Sequence, residues 1–138
     1  MPIRLTALYS FFRHRFHADY SFRGEMHDFW EVVYVHKGKL GVTAGEQVYD
    51  LSGGELIVHP PMEFHNLFVN DPIGADVVIF SFTAQTVSQE LFSGKVFRLD
   101  SERQAIVLRM FSYLDARMEK DLSYLQWREA VDPISDER

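Results

Sequence analysis

The sequence predicts a mainly β domain, a sandwich or barrel of short strands, followed by one or two α-helices. Across residues 1–100, apolar or alternating segments recur every ~8–12 residues between turn residues, which is typical of antiparallel sheets. The pair Pro60 and Pro61 fits only a loop, because proline donates no backbone hydrogen bond. After Ser101 the apolar spacing becomes helical, so the helical part is expected at the C-terminal side.

Length, charge and composition exclude several classes of function. The chain has 138 residues, enough for one domain, and a net charge of −6 with no basic stripe. As it stands, it is a poor candidate for binding the phosphate backbone of nucleic acid. It contains no cysteine, which excludes disulfides and thiol catalysis and fits a cytoplasmic protein. No apolar run approaches the ~20 residues of a membrane-spanning helix, so we expect no membrane contact.

The strands are predicted in order from these turn signals. Gly45 lies between two segments that we expect to form a hairpin, and HKGK at 36–39 is expected to end the strand before it. A short helix is expected at 84–92. The predicted strands are 4–10, 14–22, 29–36, 39–44, 47–51, 55–58, 64–69, 76–82 and 96–99.

A long helical segment is predicted from Ser101, which has capping-box spacing to Gln104. Leu108, Phe111 and Met118 fall on one face, in a heptad pattern that Asp115 interrupts. Two interpretations stay open: the face packs on the chain's own barrel, or it pairs with a second copy in a homodimer. We therefore divide the chain into a barrel at 1–100 and a helical dimerisation segment and tail at 101–138.

The stretch HDFWEVVYVHKG, residues 27–38, combines a buried strand with two polar side chains. Because strand residues alternate faces, His27 and Glu31 share one face with Phe29 and Val33. A carboxylate among apolar side chains is costly to bury unless it is paired or bound. His65, after the double-proline loop, is expected to converge on them if its strand lies beside this one.

Glu25 shares the face of His27 and Glu31 by the same alternation. Two imidazoles and one or two carboxylates have three interpretations: a satisfied internal ion pair, a pocket for a small molecule, or a metal site. Phe29 and Val33 would form the apolar wall of such a pocket. The residues alone leave these alternatives open.

Residues 24–70 resemble a cupin barrel. Glu25, His27, Glu31 and Gly38 stand at the histidine, histidine, glutamate and glycine positions of the first cupin motif, and Gly54, Pro60 and His65 match the second. The first metal-binding histidine is replaced by Glu25. Residues 27–67 are still more similar to the sensor half of AraC-type transcription regulators, with H-D-F-W-E near the start and P-P-x-x-x-H near the end.

The resemblance implies a double-stranded β-helix, or jelly-roll, barrel that binds a small-molecule effector and forms a dimer. The effector would be a small polar molecule, a sugar or an organic acid, held by His27, Phe29, Glu31, Val33 and His65. The segment Pro2–Phe12 would act as an arm over the barrel mouth. Regulators of this kind contact DNA through helix-turn-helix units, which we expect outside this chain.

The same resemblance also supplies a rival interpretation. In this interpretation the chain is a small metal-dependent cupin enzyme, such as a dioxygenase, isomerase or decarboxylase, with a divalent metal on Glu25, His27, Glu31 and His65. In the AraC-type subgroup the remaining histidine and glutamate commonly persist without metal. We therefore expect no cofactor and no enzymatic activity.

Overall fold

The computed structural model describes residues 4–85 and 88–118. A single helix follows the strands in this part of the chain, and the mainly β fold class is confirmed. The elements are β1 Arg4–Phe16, β2 Ser21–Glu25, β3 Trp30–Ala44, β4 Gln47–Ser52, β5 Glu55–His59, β6 His65–Phe68, β7 Ala75–Gln85, a 3-10 helix Gln89–Leu91, β8 Val96–Arg98 and α1 Ser101–Met118.

The strands pair antiparallel in two layers, as in a cupin-like jelly roll. Sheet A has the order β1-β7-β3-β5-β8, and sheet B the order β2-β6-β3-β4. The long strand β3 belongs to both: Glu31 pairs with His59 in sheet A, and Ala44 pairs with His65 in sheet B. The expected hairpin around Gly45 is present, with Ala44 opposite Gln47.

β3 is where the predicted boundaries were wrong. HKGK does not end the strand, because a bulge and Gly38 (φ +90°) redirect it from one sheet into the other. A Cβ at position 38 would lie 2.1 Å from the carbonyl oxygen of Gly74, so only glycine fits there. The strand that carries Glu31 thus continues into the wall that carries His65.

The N-terminal predictions also need correction. The separate strands at 4–10 and 14–22 are one long strand, β1, followed by the short β2. From Arg4 onward the expected arm is the edge strand of sheet A, because β1 pairs with β7 from Arg4–Gln85 to Phe16–Ala75. Eleven paired positions along this 13-residue strand stabilise the segment as part of the barrel wall. Residues 1–3 lie outside the described part.

Sheet A has apolar residues on both faces. The inner core lies between the sheets and includes Phe12, Phe16, Val33, Val35, Leu40, Val42, Leu51, Ile57, Leu67, Val77 and Ile79. The outer core lies between sheet A and α1 and is built from Phe11, Tyr34, Val78 and Phe80, packed against Val107, Leu108, Phe111 and Leu114 of the helix. The alternation predicted for β3 is therefore confirmed, with Val33 inside and Tyr34 outside.

α1 begins as predicted, but its cap is a different residue. The backbone N–H of Arg103 donates to Oδ1 of Asp100 at 2.8 Å, so Asp100 and not Ser101 caps the first turn. Gln104 donates from Nε2 to the carbonyl oxygen of Leu99 at 2.9 Å. Both contacts fix the helix on the end of β8. The side chain of Met118, and residues 119–138, lie outside the described part.

The helix expected at 84–92 is wrong in its larger part. β7 continues to Gln85, and helical structure is limited to the 3-10 helix Gln89–Leu91. Trp30 contacts Phe92 here, with ring centroids 5.8 Å apart, as outer packing. Among the described residues, no helix has the length and apolar character needed to cross a membrane.

Candidate functional site

A cavity of about 170 Å³ lies between the two sheets. Its polar lining comprises Ser10, Glu25, His27, Glu31, His59, His65, Asn66 and Ser81. Its apolar lining comprises Phe12, Phe16, Tyr20, Phe22, Phe29, Val33, Leu67 and Ile79. All five residues predicted to bind a ligand therefore line one cavity, and their role as ligand contacts stays a prediction.

Two carboxylates and two imidazoles meet at one side of this cavity. Nε2 of His65 lies 3.2 Å from Oε2 of Glu25 and 3.3 Å from Oε2 of Glu31. Nε2 of His27 lies 3.4 Å from a carboxylate oxygen of each glutamate. We expected the strand of His65 to lie beside residues 29–36. This expectation is wrong, because β6 pairs with residues 41–44 of β3. His65 pairs with Ala44 and Glu25 and reaches Glu31 across the interior.

Backbone contacts orient both imidazoles. Nδ1 of His27 lies 3.0 Å from the carbonyl oxygen of Phe29, and Nδ1 of His65 lies 3.1 Å from that of Glu63. A carbonyl only accepts, so each Nδ1 carries the proton and donates it. Both Nε2 atoms therefore face the carboxylates. Each contact between an imidazole and a carboxylate is attractive only if Nε2 is protonated or if a cation lies between the two groups.

The pKa values reflect this arrangement. Burial by itself would lower the pKa of His65 and of His27, but the Glu25 and Glu31 carboxylates raise them to about 10 and about 9. Burial likewise opposes ionisation of Glu31, yet contacts with the two imidazoles lower its pKa to about 2. The same contacts hold the pKa of Glu25 below its ordinary value. Without metal, both imidazoles and both carboxylates of the cluster are charged at neutral pH.

The donor set also fits a divalent metal. One ligand atom from each of Glu25, His27, Glu31 and His65 lies within 4.8 Å of all the others. Nε2 of His27 is buried and makes no hydrogen bond, although both carboxylates are near. Metal-ligating histidines ordinarily donate their other ring nitrogen to a carbonyl or carboxylate, as both do here. Imidazole with carboxylate suits iron, manganese, nickel or zinc.

His59 was missed by the sequence interpretation, which left it ambiguous beside Pro60. It is 1% exposed, and its Nδ1 lies 3.2 Å from Oε1 of Glu63. Its ring stacks on that of His65, with centroids 4.4 Å apart. His59 lies beside the cluster because it pairs with Glu31 in sheet A. The local sequence around His59 does not predict that pairing.

An aromatic stack borders the cluster. The ring of Phe29 is parallel to that of His27, with centroids 3.9 Å apart, and Tyr9 packs on Phe29 at 4.8 Å. Phe29 thus holds the imidazole plane as well as lining the cavity. Of the other histidines expected to be exposed, His17 is exposed, whereas His14 and His36 are half-buried.

The family model for the AraC-like ligand binding domain matches residues 8–122. This match covers most of the chain, which therefore belongs to the family of AraC-like ligand binding domains. No curated protein sequence matches the chain.

Solved cupin structures are similar in fold. A predicted oxalate decarboxylase from Thermotoga maritima gives a TM-score of 0.53 at 13% identity, over 55% of this chain and 67% of that one. A cupin superfamily protein from Desulfitobacterium hafniense gives 0.50 at 14% identity, over 59% and 78%. The Cnp3 cupin domain from Schizosaccharomyces pombe gives 0.50 at 11%, over 59% and 61%. At these identities the likeness concerns the fold alone.

Proposed function

We propose that this domain binds a small-molecule effector in the barrel cavity and that binding changes how two copies pair in an AraC-type transcription regulator. The observation that supports the proposal is the cavity, which has both charged and apolar walls. The chain also belongs to a family of ligand-binding domains. The DNA-binding part is proposed to lie outside this chain. The effector's polar group would lie against the polar wall that includes His27, Glu31 and His65, and Phe29 and Val33 would contact its carbon body.

The strands that line the cavity also contact α1, which supports a route from ligand to helix. On β1, Phe12 lines the cavity, and the adjacent Phe11 contacts Phe111 of α1 with ring centroids 5.8 Å apart. On β3, Val33 lines the cavity, and the hydroxyl of Tyr34 donates to Oε1 of Gln104 at 3.4 Å. A ligand that favours one arrangement of these strands would bias the helix. Typical coupling is ~1–3 kcal/mol.

The homodimer would use α1. Leu108 and Phe111, predicted for the subunit contact, pack on the chain's own sheet and so link the helix to the barrel. Ile106, Met110 and Tyr113 form an exposed stripe on the described part of the helix, and we propose that this stripe meets a second copy. A mass near twice 16.1 kDa by light scattering at tens of micromolar is expected. A monomeric mass would remove the dimer from the proposal.

The effector site is tested by nuclear magnetic resonance with a small library of single-ring alcohols, single-ring acids and monosaccharides. At least one compound is expected to shift the amide signals of the cavity strands. Val33→Phe, which fills the cavity, should abolish the shifts. Val48→Phe, the same change at a 63% exposed site, should keep them. Shifts that survive Val33→Phe, or a library without effect, would remove the cavity as effector site.

A second candidate function is that of a metal-dependent cupin enzyme. The four-residue donor set and the hydrogen-bond-free Nε2 of His27 favour it. Glu25, His27, Glu31 and His65 would hold the metal, which would supply Lewis-acid or oxygen-activating chemistry. The remaining residues would exclude water and orient the substrate, with His59 adjacent to the metal ligands.

Metal analysis separates the two candidates. Protein purified without added metal and examined by plasma mass spectrometry should contain well under one equivalent of transition metal if it is a sensor. Stoichiometric metal that is lost in Glu31→Gln but retained in Glu46→Gln, on the exposed turn before β4, would favour the enzyme.

A further inference from the structure

One row of polar side chains crosses the inner face of sheet A. Ser10 pairs with Ser81, Ser81 with Glu31, and Glu31 with His59, so four positions that are distant in sequence become neighbours on β1, β7, β3 and β5. Their exposures are 1%, 3%, 7% and 1%. All four line the cavity. The row therefore extends the polar wall well beyond the carboxylate and imidazole cluster.

The hydroxyl of Ser10 lies at the far end of this row and is unused. Its Oγ is buried and has no hydrogen-bond partner, whereas Oγ of Ser81 donates to Oε1 of Glu31 at 3.4 Å. A buried hydroxyl without a hydrogen-bond partner destabilises the folded protein. Because Ser10 faces the cavity, an oxygen of a bound ligand can pair with it.

The next row of the same sheet is entirely apolar where it meets the cavity. Phe12 pairs with Ile79, and Ile79 with Val33, each two residues along its strand from a member of the polar row. Phe22 and Leu67, paired in sheet B, add further apolar side chains to the lining. The cavity is thus polar in one layer and apolar in the next.

We propose that the effector is an uncharged, single-ring molecule whose ring occupies the apolar layer and whose one oxygen substituent hydrogen-bonds Ser10 in the polar row. The inference rests on the proposed function, because it names the ligand of the same cavity. The volume of about 170 Å³ is close to that of an apolar cavity of ~150 Å³ that accommodates benzene. The ligand is therefore the size of one ring with small substituents.

The charges of the residues that line the cavity argue against an effector with a negatively charged group. The lining residues include two glutamates and neither lysine nor arginine, and each imidazole Nε2 already faces both carboxylates. A carboxylate ligand would find no free cation there. A sugar, with a hydroxyl on nearly every carbon, would leave several of them unpaired against Phe12, Val33 and Ile79. The inferred effector is therefore a phenol-like or cyclic alcohol-like compound, in place of the sugar or organic acid that the resemblance implies.

The test compares para-cresol, para-toluate and xylose by isothermal titration calorimetry on the metal-free protein. Para-cresol is expected to bind at least tenfold more tightly than the other two. Ser10→Ala should weaken para-cresol about tenfold through loss of one hydrogen bond. Ser101→Ala, the same change at an exposed site on α1, should leave the affinity within twofold.

Stability provides a second readout that a merely structural serine would not give. Because Oγ of Ser10 has no partner, Ser10→Ala should leave the melting temperature of the ligand-free protein unchanged or raised. A lower melting temperature, or unchanged para-cresol affinity, would overturn the role of Ser10.

The remaining outcomes separate the ligand class from the site. Tighter binding of para-toluate or xylose that Val33→Phe abolishes would overturn the ligand class and leave the effector cavity in place. Absence of para-cresol binding at millimolar concentration would overturn the ligand class as well. The effector cavity falls only if the wider compound library also has no effect.

Discussion

The two faces of sheet A differ in how completely they are filled. On the outer face, Phe11, Tyr34 and Val78 pack against α1 in a closed apolar core. On the inner face, the same three strands border a cavity of about 170 Å³ next to ion-paired side chains. Adjacent residues on one strand thus belong to a filled core and to a hollow one.

The difference separates stability from binding. Protein interiors are ordinarily close-packed, with few voids larger than a water molecule. Apolar residues at positions 10, 31 and 81 would fill the inner face, yet these positions hold serine, glutamate and serine. The outer core anchors the helix. The inner face is less closely packed and leaves a space that a ligand can occupy.

The largest effect is expected in the outer core. Phe11→Ala should lower the free energy of unfolding by ~3–5 kcal/mol, because it leaves a void between sheet A and α1. Phe12→Ala, on the next residue and the opposite face, should cost less, since its side chain already borders the cavity. Urea unfolding measures both. Equal losses would mean that the inner face is as tightly packed as the outer one.

The next effect concerns the charged cluster. Glu31→Gln should cost ~3 kcal/mol, because it leaves two buried imidazolium groups with only Glu25 as partner. His27→Gln combined with Glu31→Gln should cost less than the sum of the single changes, keep the fold and weaken the effector response. Loss of the cooperative thermal transition in the double variant would instead mark the pair as a structural element.

The pH dependence of the metal-free protein should follow the same contacts, with a smaller effect because water reaches Glu25, which is half-exposed. The raised pKa values of His27 and His65 contribute stability that is complete below ~6.5 and is lost as pH rises through about 9 and 10. The lowered pKa of Glu31 contributes above ~4.5 and is lost as pH falls towards about 2. Thermal midpoints should therefore be highest near pH 5–6. A flat profile from pH 6 to 10 would contradict the ion pairs.

The smallest effect is expected for filling the cavity. Val33→Phe on the inner face should change the free energy of unfolding by within ~1 kcal/mol, because the larger ring has space to enter. Val78→Phe on the outer face should cost ~1–3 kcal/mol, because both valines are fully buried but only Val78 lies in a filled core. Chemical unfolding of the two variants gives the comparison, and a reversed order would refute it.

The candidate site was partly predictable. Alternation along residues 27–35 correctly places His27, Phe29, Glu31 and Val33 on the cavity side. His59, Ser10 and Ser81 were not predicted, because each is an ordinary residue in its own segment. They become part of the site only through pairing with strands that are distant in sequence.

Element boundaries show the same limit. The hairpin at Gly45 and the helix from Ser101 were predictable, since glycine conformation and helical spacing are local properties. The continuation of β3 through Gly38 was not, because it depends on the approach of Gly74 from another part of the chain. The end of β7 at Gln85 likewise depends on its pairing with Arg4.

The residues alone predict the β character, the proline loop, the helix after the strands and the face that His27 shares with Glu31. These follow from backbone sterics, hydrogen-bond donors and the period of a single strand. The pairing of distant strands brings Ser10, Ser81, Glu31 and His59 into one row and leaves the space beside them open. Strand register minimises the free energy of the whole barrel, and no single segment contains that information.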